Sequence, residues 1–80
     1  MTVTVRLFAF YADRLGRSRI DLEVPDGSTV DDVVLRIAHL PGGEAIPASP
    51  LVALNAAYAD RRAPVSHGDE VALIPPVAGG

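Results

Sequence analysis

Cysteine, lysine and tryptophan are all missing from the sequence. Without cysteine there is no disulfide framework, no thiolate metal site and no cysteine nucleophile. All seven basic residues are arginine, so the chain has no Walker A lysine, no Schiff-base lysine and no isopeptide acceptor of its own. Positive charge is in short supply overall. The net charge is −3 and the pI is near 5.1, which argues against a nucleic-acid partner and favours a basic protein surface reached by electrostatic steering. No apolar run approaches the length of a membrane helix. Arg6 interrupts the apolar N-terminal stretch, and no basic leader precedes it. Neither a membrane partner nor a signal peptide is expected, and the default compartment is the cytoplasm.

What is present fits one small folded domain. Eighty residues make a single core, and surface scaling lets such a chain bury about 60% of its unfolded surface. A composition of 49% hydrophobic and 21% charged residues excludes a disordered chain. Residues 2–10 alternate, with Val3, Val5, Leu7 and Ala9 on one face and Thr2, Thr4, Arg6 and Phe8 on the other, and read as a strand. Residues 11–17 read as a connection ending near Gly16. Residues 18–24 alternate more cleanly, Ile20, Leu22 and Val24 against Arg19, Asp21 and Glu23, and predict a second strand antiparallel to the first. Pro25-Asp26-Gly27 stops it.

Ser28 or Thr29 can cap a helix whose first turn carries Asp31 and Asp32. Val30, Val33, Val34, Ile37 and Ala38 place one apolar stripe toward the core, and Pro41-Gly42-Gly43 ends the helix. Residues 41–50 read as a loop. Residues 51–56 form a continuous apolar run, expected as a third strand at the sheet centre, with Asn55 as a turn former near its end. Residues 58–62 are a candidate edge strand, 63–69 a turn region and 70–75 the last strand. The expectation is an α+β fold, a mixed four- to five-stranded sheet with one main helix packed on one face. This order resembles that of ubiquitin-like β-grasp domains. The domain boundary falls at residue 76, with residues 77–80 as a flexible Gly-Gly tail.

The constellations that would make an enzyme fail one by one. Ser66, His67 and Asp69 are close in sequence, but neighbours in extended chain point apart, and no G-x-S-x-G elbow is present. His39 and His67 have no metal-ligand spacing, and no metal site is expected. The pairs Asp31-Asp32 and Asp69-Glu70 fit a helix start and a turn. Arg61-Arg62 is too little charge for a nucleic-acid patch. The informative segment is Pro75-Pro76-Val77-Ala78-Gly79-Gly80. Paired glycines at a chain end arise by chance in roughly 0.5% of sequences. A terminal carboxylate becomes electrophilic once adenylated, and sulfur can then replace the adenylate. Glycine lacks a Cβ, so such an end passes a narrow channel, while Pro75-Pro76 stiffens its stem.

The residues Leu54-Asn55, Pro64-Val65, Gly68-Asp69-Glu70-Val71 and the ending Pro-Pro-Val-Ala-Gly-Gly resemble those of the MoaD/ThiS sulfur carriers, most of all the small subunits of molybdopterin synthase. Val5-Arg6-Leu7-Phe8-Ala9 and Gly16 match as well. The resemblance implies that Gly80 is adenylated by a ubiquitin-activating-enzyme-like adenylyltransferase, which uses ATP, and is then converted to a thiocarboxylate by a sulfur donor protein. It further implies that the tail enters the large, catalytic subunit of the synthase in a heterotetramer and gives sulfur to cyclic pyranopterin monophosphate for molybdenum cofactor biosynthesis. The carrier itself binds no cofactor and is no enzyme alone. The implied functional residues are Gly80 and Gly79 in the tail, with Phe8, Tyr58, Ile74, Pro75, Pro76, Val77 and Ala78 facing partners. Phe8 and Ile74 also fall opposite the core residues of their expected strands. One departure stands out: where many relatives carry Arg-Glu after the first strand, this chain has Ala12-Asp13. The alternatives are a related carrier serving cysteine or thiamine biosynthesis, and a ubiquitin-like protein modifier.

Overall fold

The computed structural model describes residues 1–76, and the tail 77–80 lies outside the described residues. Strand β1 spans Thr2–Leu7, and its alternation buries Val3, Val5 and Leu7. β2 spans Arg19–Glu23 and runs antiparallel to it, burying Ile20 and Leu22. The apolar stripe on α2, Val30–Ala38, is Val30, Val33, Val34 and Ile37, all buried. Valine-rich helices have modest intrinsic propensity. Burial of Val33 and Ile37, worth about 1.5–3 kcal/mol per side chain, and a reciprocal cap hold this one. Thr29 accepts the Asp32 backbone N–H, while the Asp32 carboxylate accepts the Thr29 N–H.

Strands β3, Leu51–Leu54, and β4, Ala57–Tyr58, form a hairpin whose turn residues Asn55 and Ala56 both take positive φ. Two such residues are what a tight hairpin with right-handed strand twist requires. β5, Glu70–Ile74, pairs parallel to β1 and antiparallel to β3. The sheet order is β2-β1-β5-β3-β4. β5 and not β3 is therefore the central strand, a correction to the expectation for residues 51–56. The helix stripe and the inward residues of the strands make one core. The arrangement is the ubiquitin-like β-grasp.

Three local expectations give way. The first strand ends at Leu7 and not at residue 10, because Ala9–Leu15 is a helix, α1. The fold thus carries a second, short helix beside the main one. Phe8 is its N-cap in extended conformation, so Phe8 and Phe10 are not strand residues. The connecting segment 41–50 contains a 3-10 turn at Gly43–Ala45. The edge strand is only Ala57–Tyr58, shorter than residues 58–62.

α1 also contains a cost. Tyr11 is fully buried, and among the described residues its hydroxyl has no hydrogen-bond partner. The same burial raises the pKa of the phenol. An unpaired buried hydroxyl costs about 1–3 kcal/mol. Tyr11→Phe keeps the ring and removes the orphan, so it is expected to raise stability by about 1 kcal/mol in urea denaturation. A loss of stability would reveal a partner for the hydroxyl.

Candidate docking face and tail stem

One face of the sheet is covered by α2; the register lays out the other in rows. Arg19, Arg6, Ala72, Ala53 and Tyr58 are successive cross-strand partners from β2 to β4. The next row toward the end of β5 holds Ile74 and Leu51, which are partners. Phe8 follows Leu7, the partner of Leu73, and so comes beside Ile74. The Arg6 guanidinium lies 5.9 Å from the Phe8 ring centroid, which ties Phe8 to this outer face although it caps a helix. In the opposite direction the rows turn polar. Thr4 is partnered by Asp21 and Glu70, and Thr2 by Glu23. Thr4 Oγ1 donates to Asp21 at 3.1 Å, and Thr2 Oγ1 donates to Glu23.

The outer face is therefore divided. Its apolar half surrounds the end of β5, and its large side chains are open: Tyr58 is 75%, Leu51 50% and Phe8 43% exposed. Ile74 is half-buried. Exposed aromatic and aliphatic groups gathered in one patch mark an interaction surface. β5 leaves this patch directly into Pro75, half-buried, and Pro76, exposed. Val77, Ala78, Gly79 and Gly80 lie outside the described residues. Of the residues expected to face partners, the structure brings Phe8, Ile74 and Tyr58 onto one face with Pro75-Pro76 at its edge. Leu51 and Ala72 share this face without having been named as partner-facing, and Ala53 lies buried beneath it. Only the register opposite Ile74 puts Leu51 outward; in the sequence a continuous apolar run reads as a strand buried on both sides.

The polar clusters are structural. His67 Nδ1 accepts the Thr2 backbone N–H at 3.0 Å. The Asp69 carboxylate accepts from Ser66 N–H at 2.7 Å and from the Asn55 amide at 3.0 Å. Asn55 Oδ1 in turn accepts the Glu70 N–H at 2.9 Å. Ser66, His67 and Asp69 thus pin β1, the turn and the hairpin to one another and form no relay. His39 bonds the Leu35 carbonyl at 2.7 Å at the end of α2. Arg61 bonds Asp31 at 3.1 Å. Among the described residues no three His, Asp or Glu side chains group as a metal site, and no helix is long and apolar enough to cross a membrane.

The hydrogen bond from Asn55, and after it that from Ser66, lower the Asp69 pKa below the ordinary carboxylate value. A lowered folded-state pKa stabilises the fold above the unfolded value, and that contribution is lost as pH falls through the folded one. Asp69→Asn is expected to lower stability at neutral pH and to flatten the acid limb of a stability-against-pH curve. An unchanged acid limb would show that Asp69 does not contribute to it.

The chain matches the ThiS family model over residues 5–80. It is 37% identical over 82 residues to the molybdopterin synthase sulfur carrier subunit of Arabidopsis thaliana, spanning 98% of this chain and 82% of that protein. The crystal structure of Haloferax volcanii small archaeal modifier protein 1 superposes with a TM-score of 0.84 at 26% identity, covering 95% of this chain and 98% of that one. A complex of subunits 1 and 2 of the molybdopterin-converting factor from Helicobacter pylori 26695 contains a chain of the same fold, with a TM-score of 0.73 at 23% identity and 100% of both chains covered. On its sequence and its fold together, the chain belongs to the ThiS family.

Proposed function

We propose that this chain is the sulfur carrier subunit of a molybdopterin synthase and that Gly80 carries the sulfur. The observation that carries this reading is the layout of β5. The strand contributes Ile74 to an exposed apolar patch and runs without interruption into Pro75-Pro76, the stem of the Gly79-Gly80 tail. Docking through the patch delivers the tail to a partner's site. The 37% identity to a named carrier subunit, and a family match that extends through residue 80, support the same assignment.

The chemistry follows from the carboxylate. Its oxygen attacks the α-phosphorus of ATP on an adenylyltransferase partner, pyrophosphate leaves, and a mixed anhydride forms. Sulfide released by the sulfur donor attacks the carbonyl carbon, the bond to the AMP oxygen breaks, AMP leaves and the S–H proton is lost to solvent. The resulting thiocarboxylate gives its sulfur to cyclic pyranopterin monophosphate in the large subunit. This chain supplies the docking face and the reactive end; the catalytic side chains are the partners'. The expected compartment is the cytoplasm, and the expected assembly is a heterotetramer with the large subunit.

The test is the intact mass of the chain after incubation with the adenylyltransferase, ATP and a sulfide source. A gain equal to sulfur replacing oxygen, mapped to the C-terminal peptide, is the expected result; mapping separates it from oxidation of Met1. An unmodified tail with a competent activating enzyme would overturn the carrier reading. A second reading, as a protein modifier, is favoured by similarity to the archaeal modifier. It predicts Gly80 in isopeptide linkage to lysines of other proteins. A carrier for cysteine or thiamine biosynthesis would be sulfurated in the same way but would not bind the synthase large subunit.

A further inference from the structure

Two arginines border the apolar patch in an arrangement that works against the fold's own stability. Arg6 and Arg19 are direct partners across the β1–β2 ladder, and like charges placed opposite one another destabilise a sheet. Both side chains are open, 44% and 65% exposed. Their compensation is weak: Arg6 approaches Glu70 at 3.7 Å and Arg19 approaches Asp21 at 3.5 Å, exposed ion pairs of the kind that contribute about 0–1 kcal/mol. Among the described residues neither guanidinium donates a hydrogen bond, whereas Arg61 donates one to Asp31. Arg6 also lies near the ring of Phe8, so the pair is continuous with the patch. The result is two guanidiniums in one row, each held only loosely by one exposed carboxylate of the next row, on a chain of net charge −3.

We propose that Arg6 and Arg19 together receive a carboxylate of the large synthase subunit and thereby orient the apolar patch against it. This rests on the reading of the outer face as the synthase-docking face. Each guanidinium has a planar fork of donors suited to a carboxylate, and a shared anion relieves the repulsion between the two. Apolar contact through Phe8, Leu51, Ile74 and Tyr58 then supplies area, and the arginine pair supplies register and encounter rate. The partner is a folded protein face with an apolar centre and an acidic flank, opposite in sign to the basic partner surface that the net charge alone suggests.

The experiment measures association of the full chain with the purified large subunit at low and at high salt. Arg6→Gln and Arg19→Gln are each expected to slow association about 10-fold at low salt and to flatten its salt dependence. The double variant should be little worse than either single one, because one anion is shared. Arg36→Gln, on α2 away from this face, changes net charge equally and should have a small effect. Thermal melts confirm that each variant is folded. If the Arg6 and Arg19 variants behave like Arg36→Gln while Leu51→Glu abolishes binding, the docking face stands and the carboxylate clamp is wrong. If the unaltered chain does not bind, or Leu51→Glu binds normally, the docking reading fails and the clamp fails with it.

Discussion

Deleting Gly80 is expected to abolish sulfur transfer completely while leaving the melting temperature unchanged. The two halves of this expectation have separate physical grounds. Among the described residues the core cluster runs from Val3 to Leu73, and the last strand ends at Ile74; glycine has no side chain, so deleting Gly80 takes no apolar side chain from that core. Under the proposed carrier chemistry function depends on it wholly, because the deleted chain ends on Gly79 and places its carboxylate one residue short. One residue of extended chain is roughly 3.5 Å, and a misplacement of about 1 Å can already cost 100-fold in a positioned reaction. Two measurements on the same sample check this: intact mass after incubation with the activating partner, and a thermal melt. Undiminished thiocarboxylate on the shortened chain would remove the special role of Gly80. A large drop in melting temperature would mean that the tail packs on the domain.

The sequence made the strands legible where one face is wet and the other dry. β1 and β2 alternate, which marks each as a strand with one buried face and made their antiparallel pairing readable, while the register itself comes from the structure. α2 was equally readable, since its stripe and its Thr29 cap are both explicit. α1 was not. Phe8, Tyr11, Ala12 and Leu15 do have helical spacing, but the helix is less than two full turns long. Its first residues also continue the alternation of β1 through Ala9 and Phe10, so two periods overlap and the longer one dominates the reading. Phe8 is exposed on the outer face, as its place opposite the core residues suggested, but it caps a helix and is not a strand residue. The placement of residues 51–54 failed for a different reason: an apolar outer face on a second-from-edge strand looks in sequence like a central strand. The feature that misled the topology is the one on which the proposed docking face rests. Arg6 and Arg19 carry no sequence signal as a pair, because only the antiparallel register brings them together.

Gly42→Ala should be the most damaging conservative change outside the core. Gly42 has φ of +88°, and a Cβ built there falls well inside contact distance of the Arg14 carbonyl oxygen. The obstacle is backbone at the end of α1, which cannot rotate away as a side chain would. Gly16 is the natural comparison. Its φ of +80° is nearly the same, but a Cβ there meets nothing within 4 Å. Gly16→Ala therefore reports the left-handed backbone alone, about 1–2 kcal/mol, and Gly42→Ala adds the collision, for a total of at least ~3 kcal/mol. For a domain of this size that lowers the melting temperature by roughly 12 °C or more. Urea denaturation of the two variants isolates the collision as their difference. Equal destabilisation would show that the approach of the 41–50 segment to α1 is not a tight one. The consequence reaches the proposed docking face, because α1 begins directly after Phe8 and is approached at its far end by Gly42. A variant that shifts α1 should weaken docking even where enough folded protein remains to measure it, whereas Gly16→Ala should dock normally.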